Sequence, residues 1–170
     1  MKKAIQFFII VFVCTTSFSQ EIEKDYYDNG QLESVYYYDS EGNKTGEWKD
    51  YYSNGQLLSV RKFSNDVLLY ETEYFENGQL KYKGAYELNM RKVGEWKYYF
   101  ENGQLKLIGV HKYNYSLSSF ENEHRIGEWK EYYDNGQLES IGSYDADGKK
   151  LDDWKYYDEK GKVKKDKYDY

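Results

Sequence analysis

Large aromatic and aliphatic side chains alternate with charged or polar ones in short runs along most of the chain, and Asn-Gly repeatedly separates one run from the next. Trp48-Lys49-Asp50-Tyr51-Tyr52 typifies the run before the pair and Leu57 to Phe63 the run after it. Alternation with a period of two is the mark of a strand whose two faces meet different surroundings. Asn-Gly between two such runs predicts a hairpin, because both residues tolerate the positive φ of a type I′ turn. In a two-residue turn of that kind, the residue three before the glycine pairs with the leucine two after it.

The pattern repeats. Asn-Gly-Gln-Leu occurs five times, with glycines at Gly30, Gly55, Gly78, Gly103 and Gly136, and Lys160-Gly161-Lys162-Val163 is a degenerate sixth copy. The spacings of 25, 23, 25, 33 and 25 residues lie in the range of repeat architectures. Trp48, Trp96, Trp129 and Trp154 each stand seven residues before their glycine, where the other two copies carry Glu23 and Glu71. A second set of turns joins the units at Glu41-Gly42-Asn43, Thr45-Gly46 and Asp147-Gly148. The expected fold class is all-β: an elongated single antiparallel sheet of about six tandem β-hairpin repeats. Twelve strands spaced about 4.8 Å apart would extend on the order of 55 Å.

Two faces follow from the alternation. One carries Trp48 with Tyr52, Trp96 with Phe100 and Trp129 with Tyr133, joined across the hairpin by Leu57, Leu105 and Leu138 as a core stripe. The other carries a tyrosine four residues before every glycine: Tyr26, Tyr51, Tyr74, Tyr99, Tyr132 and Tyr157. Their expected cross-strand neighbours are Glu33, Leu58, Lys81, Lys106, Glu139 and Lys164. This tyrosine ladder is either cover for a single-layer sheet or a surface for a ligand or partner, since Tyr combines large area with a polar tip. The long fourth connection, Lys112 to Ile126, offers Tyr113, Tyr115 and Phe120 as an interaction loop, or is an enlarged hairpin.

Composition narrows the setting. Residues 1–19 read as a secretion signal: Lys2 and Lys3, an apolar run from Ala4 to Val13, then Ser17-Phe18-Ser19, with cleavage expected before Gln20. An uncleaved anchor and lipid attachment at Cys14 are the alternatives. Residues 20–170 form the repeat array, exported to the periplasm, cell surface or medium, with no membrane span once the leader is removed. Losing Lys2 and Lys3 takes 24 basic side chains to 22 against 30 acidic ones, a net charge of −8. That balance argues against nucleic acid and anionic membranes as partners. The single Cys departs with the leader, so no disulfide can staple the remainder. The lack of Pro and the 22 Tyr favour a sheet.

Gly-Glu-Trp-Lys-x-Tyr-Tyr-x-Asn-Gly-Gln-Leu, at Gly46–Leu57 and Gly127–Leu138 and, with Phe100 for the second Tyr, at Gly94–Leu105, resembles the variant MORN repeat common in bacterial proteins. Many chains of that kind are catalogued as antitoxins of the YwqK type, so the resemblance implies an elongated sheet and an immunity-like role toward a toxin partner. It supplies no catalytic residues.

Enzymatic chemistry is not expected. His111 and His124 read as surface histidines in or beside the long connection, outside any metal spacing. Asp145-x-Asp147-Gly148 reads as a turn, because the glycine comes too early for a calcium loop. No phosphate loop, nucleophile elbow or zinc helix occurs, and an open sheet offers no concave site to split carboxylate pKa values. No cofactor or metal is implied. The expected function is that of an exported, non-catalytic docking scaffold for a toxin or envelope protein, with glycan binding through exposed aromatic rings as the alternative.

Overall fold

The computed structural model describes residues 21–113 and 123–165, and the leader expected over residues 1–19 lies outside them. Twelve strands follow one another: β1 (Glu21–Tyr26), β2 (Leu32–Tyr38), β3 (Lys44–Tyr51), β4 (Leu57–Ser64), β5 (Val67–Tyr74), β6 (Leu80–Glu87), β7 (Arg91–Tyr99), β8 (Leu105–Tyr113), β9 (Glu123–Tyr132), β10 (Leu138–Tyr144), β11 (Lys155–Tyr157) and β12 (Val163–Lys164). They form one open antiparallel sheet whose spatial order is the chain order. The described residues contain no helix, so the all-β hairpin array expected from the period-two runs is the observed fold.

The Asn-Gly turns differ from the expected type. In the second unit the Gly55 amide donates to the Tyr52 carbonyl and the Tyr52 amide to the Gln56 carbonyl, closing a three-residue loop. Only Gly55 has positive φ, at 85°, and Asn54 does not. This is a type I turn followed by a left-handed glycine, the next commonest hairpin connection after the two-residue turns. Asn54 earns its place otherwise: its Oδ1 accepts from the Gln56 amide at 2.8 Å. A two-residue turn with positive φ at both positions occurs instead on the opposite edge, at Asn65-Asp66.

The extra turn residue shifts the register. Tyr51 pairs with Leu57 and Asp50 with Ser59, leaving Leu58 as a bulged residue. The tyrosine four before each glycine therefore meets the leucine two after it, as in Tyr26–Leu32, Tyr74–Leu80, Tyr99–Leu105 and Tyr132–Leu138. The expected neighbours Glu33, Leu58, Lys81, Lys106 and Glu139 are displaced by one position, Lys164 pairs with Tyr156 and leaves Val163 opposite Tyr157, and Leu57, Leu105 and Leu138 leave the tryptophan face for the tyrosine face. The bulged residues join the tryptophan side, where Lys81 Nζ reaches Glu73 Oε1 at 2.6 Å and lies 5.8 Å from the Phe75 ring.

Gly46 is also not in a turn. It lies inside β3 with φ of 69°, and Gly94 and Gly127 match it at 68° and 63°. Val35 pairs with Lys49 and Tyr37 with Thr45, so two steps on β2 oppose four on β3. The Gly-Glu-Trp segment is thus a bulge with two extra residues, and it recurs between β6 and β7 and between β8 and β9. A left-handed conformation here strongly favours glycine.

Candidate functional site

The bulge aims each tryptophan back over the preceding strand. Trp96 lies on Gly84, Trp129 on Gly109 and Trp154 on Gly142, so close that a Cβ on the glycine would meet the indole at 2.1, 2.0 and 2.3 Å. Trp48 instead stacks on Tyr36, with ring centroids 4.3 Å apart. The indole Nε1 of Trp48, Trp96 and Trp154 donates to the carbonyls of Tyr37, Ala85 and Ser143, which occupy equivalent places one unit back. Trp129, after the long connection, donates to Ile126 within its own unit.

A cation four residues earlier closes each ring from outside. Lys44, Lys92, Arg125 and Lys150 lie 4.6, 4.5, 4.4 and 4.1 Å from the centroids of Trp48, Trp96, Trp129 and Trp154. Trp96 and Trp129 are left 1% and 0% exposed. Carboxylate–hydroxyl pairs fill the row beside them: Asp50 accepts from Tyr36 at 2.7 Å, Ser59 at 2.6 Å and Arg61 at 2.6 Å, and Glu73 accepts from Tyr82 at 2.6 Å. Burial, then the Glu73 contact, pushes the Tyr82 hydroxyl far above its usual range. These groups pair with one another, Arg61 Nε apart, and Trp48, Trp96 and Trp129 are buried among them.

His111 belongs to that core, which corrects its assignment to a surface loop. It lies in β8, 8% exposed, edge-on to Trp129 at 5.0 Å and to Trp96 at 6.2 Å. Burial, reinforced by Lys92 and Arg125, lowers its pKa to about 4. His124 lies in β9, packed against Gly148. The long connection is also shorter than expected, because β8 runs to Tyr113 and β9 begins at Glu123. Arg91 covers the Tyr113 ring at 3.7 Å, while Tyr115 and Phe120 lie outside the described residues.

The opposite face is built of rows running across the sheet. Nearest the Asn-Gly turns is the row of Tyr26, Tyr51, Tyr74, Tyr99, Tyr132 and Tyr157 alternating with leucines and Val163. Tyr26 is 58% exposed and the other five are half-buried. The next row pairs lysines with aliphatic residues, as in Lys24–Val35–Lys49–Val60 and Lys97–Ile108–Lys130–Ile141–Lys155. A row of glutamates follows, with Glu47, Glu95 and Glu128 at 3.5, 2.7 and 2.7 Å from Lys49, Lys97 and Lys130. The hydroxyl of Tyr70 reaches Glu47 at 3.2 Å. This face has no overlying layer among the described residues. It presents an apolar band beside a charged one.

The turn edge explains the repeated motif itself. Each turn asparagine donates its side-chain amide to a carbonyl of the next turn: Asn29 to Ser53, Asn54 to Glu76, Asn77 to Glu101, Asn102 to Asp134 and Asn135 to Glu159, at 2.7 to 3.4 Å. The hydroxyls of Tyr27, Tyr52 and Tyr133 do the same to the carbonyls of Tyr51, Tyr74 and Tyr157. The glutamine after each glycine lies against the next glycine, where a Cβ would meet Gln56 at 2.6 Å or Gln79 at 2.8 Å. Asn-Gly-Gln is a stacking device between units.

Sequence reasoning missed Gly84, Gly109 and Gly142. Their signal is a second glycine six residues after the turn glycine, in three of the four copies that precede a Trp-bearing unit, the first having Tyr36 there. Asp145 accepts from the Asp147 and Lys149 amides as a turn residue. Among the described residues no group of His, Cys, Asp or Glu could hold a metal ion, and no helix is long and apolar enough to cross a membrane.

Set against known families, residues 22–40, 44–65, 69–87, 92–113 and 125–146 match the MORN repeat variant, more than half of the chain. No curated protein matches it.

Proposed function

The chain belongs to the MORN repeat variant family, and on that premise we propose that it is a non-catalytic docking scaffold whose tyrosine–lysine face binds a partner protein. The carrying observation is the difference between the two faces. One is filled by indoles, glycines and cations; the other sets a band of Tyr and Leu beside Lys49, Lys97 and Lys130, and among the described residues no layer lies over either band. Such a pairing suits a protein surface with an apolar ridge flanked by carboxylates, the ridge supplying affinity and the charges register. Sugar stacking has less to work with, because Trp48, Trp96 and Trp129 are covered and Trp154 is half-buried under Lys150.

The leader-like residues 1–19 support action outside the cytoplasm, and the partner is then an envelope or exported protein. In its most specific form the partner is an exported toxin and the chain its immunity protein.

The test is capture from the native envelope on the immobilised chain, beside a Lys49→Gln/Lys97→Gln/Lys130→Gln variant. The variant should fold as the parent does, since it loses only partly exposed ion pairs to Glu47, Glu95 and Glu128, and should lose the captured protein. Equal recovery on both would refute the reading.

A further inference from the structure

Units one and three are variants of one design. Both carry Glu in place of Trp, as Glu23 and Glu71, and both glutamates accept from a tyrosine eight residues after the glycine, Tyr38 at 3.1 Å and Tyr86 at 2.9 Å. Strand β5 has β4 on its outer side. There Arg61 is the register partner of Glu71 and Ser59 that of Glu73, while Tyr52 and Asn54 of the same unit donate to the Tyr74 and Glu76 carbonyls. Strand β1 is the counterpart of β5, with Asp25 in place of Glu73 and the Tyr26 and Asp28 carbonyls in place of those of Tyr74 and Glu76. Among the described residues, no strand pairs with its outer side and no side chain reaches those two carbonyls.

We infer that the free edge of β1 is a strand-addition site for an extended partner segment of the β4 kind, with Arg opposite Glu23 and a small hydroxyl residue opposite Asp25. Backbone pairing would supply affinity and the side chains selectivity, as in other sheet-edge recognition. The chemistry also excludes a second copy of β1 as occupant. In-register antiparallel pairing of two β1 strands sets Glu23 against Glu23, or Glu23 against Asp25, and like charges directly opposite are destabilising. Acidic edge residues thus block self-association while admitting a basic strand. This inference stands apart from the tyrosine–lysine face, since neither Glu23 nor the outer edge of β1 belongs to it.

The probe is a synthetic peptide with the sequence of residues 52–64 of this chain, from Tyr52 to Ser64, which holds the turn donors and Arg61. Titrated against the full chain, it should bind and perturb the amide resonances of β1. Binding should weaken about tenfold or more on Glu23→Lys and return when the peptide carries Glu at its Arg position. Absence of binding, perturbation elsewhere than β1, or indifference to Glu23→Lys would each overturn the inference. Failure here leaves capture by the tyrosine–lysine face unaffected, and failure of that capture leaves this titration unaffected.

Discussion

Trp129 lies directly on the Cα of Gly109, which sits opposite the β9 bulge between the pairs Ile108–Lys130 and Val110–Ile126, so that a single added methyl group would come within 2.0 Å of the indole. The same relation holds for Trp96 on Gly84 and Trp154 on Gly142. The glycines are required by space and not by backbone conformation, since none of the three has a positive φ.

Gly109→Ala should therefore lower stability by about 2 kcal/mol, within the range of overpacked cores. Chemical denaturation checks it. In a double variant with Trp129→Leu the two losses should fall short of their sum, because the smaller ring neighbour relieves the clash. Full additivity would mean that ring and glycine do not touch.

The turn ladder has gaps that can be filled. Phe75 and Phe100 stand where Tyr27, Tyr52 and Tyr133 donate to a carbonyl of the next unit. Phe100→Tyr should add a donor to the Tyr132 carbonyl and raise the melting temperature, by a net bond contribution of about 1 kcal/mol. Tyr52→Phe should lower it by a similar amount.

Asn102 acts in two directions: it accepts from the Gln104 amide at 3.0 Å and donates to the Asp134 carbonyl at 2.7 Å. Asn102→Ala loses both bonds and Asn102→Asp only the second. The loss on Ala should exceed that on Asp, with a net bond worth about 1 kcal/mol. Equal losses would show that the contact within the turn contributes nothing.

Acid should weaken the sheet at its centre through His111. Its folded pKa of about 4 lies below the ordinary value of 6.5, so the unfolded chain binds more protons between those limits. Stability is full above about pH 6.5 and falls as the pH drops toward 4, by about 3 kcal/mol over the interval. Replacement by Phe, which cannot ionise, should flatten this part of the pH–stability curve. An unchanged slope would place the titrating group elsewhere.

How much was readable in advance depended on the range of each interaction. The hairpin count, the strand order and the separation of tryptophan from tyrosine faces follow from period-two alternation and a fixed Asn-Gly spacing, which are local signals. The turn type was not readable, because Asn-Gly serves both a two-residue turn and a type I turn with a left-handed glycine. That one-residue difference moved Leu57 and its counterparts to the other face. His111 looked like a loop residue beside an irregular stretch, and became a core residue once β8 ran on to Tyr113.

The sequence by itself determined that this protein is a linear array of hairpins, since every unit carries its own turn and its own alternating strands. Only the tertiary structure decided what the repeated residues do. Asn, Gly, Gln and Trp each act on the neighbouring unit, through a carbonyl, a bare Cα or a ring, and the atoms they meet come into reach only when the units stack. For that reason the motif was visible as a spacing, while its purpose lay in contacts some two dozen residues apart along the chain.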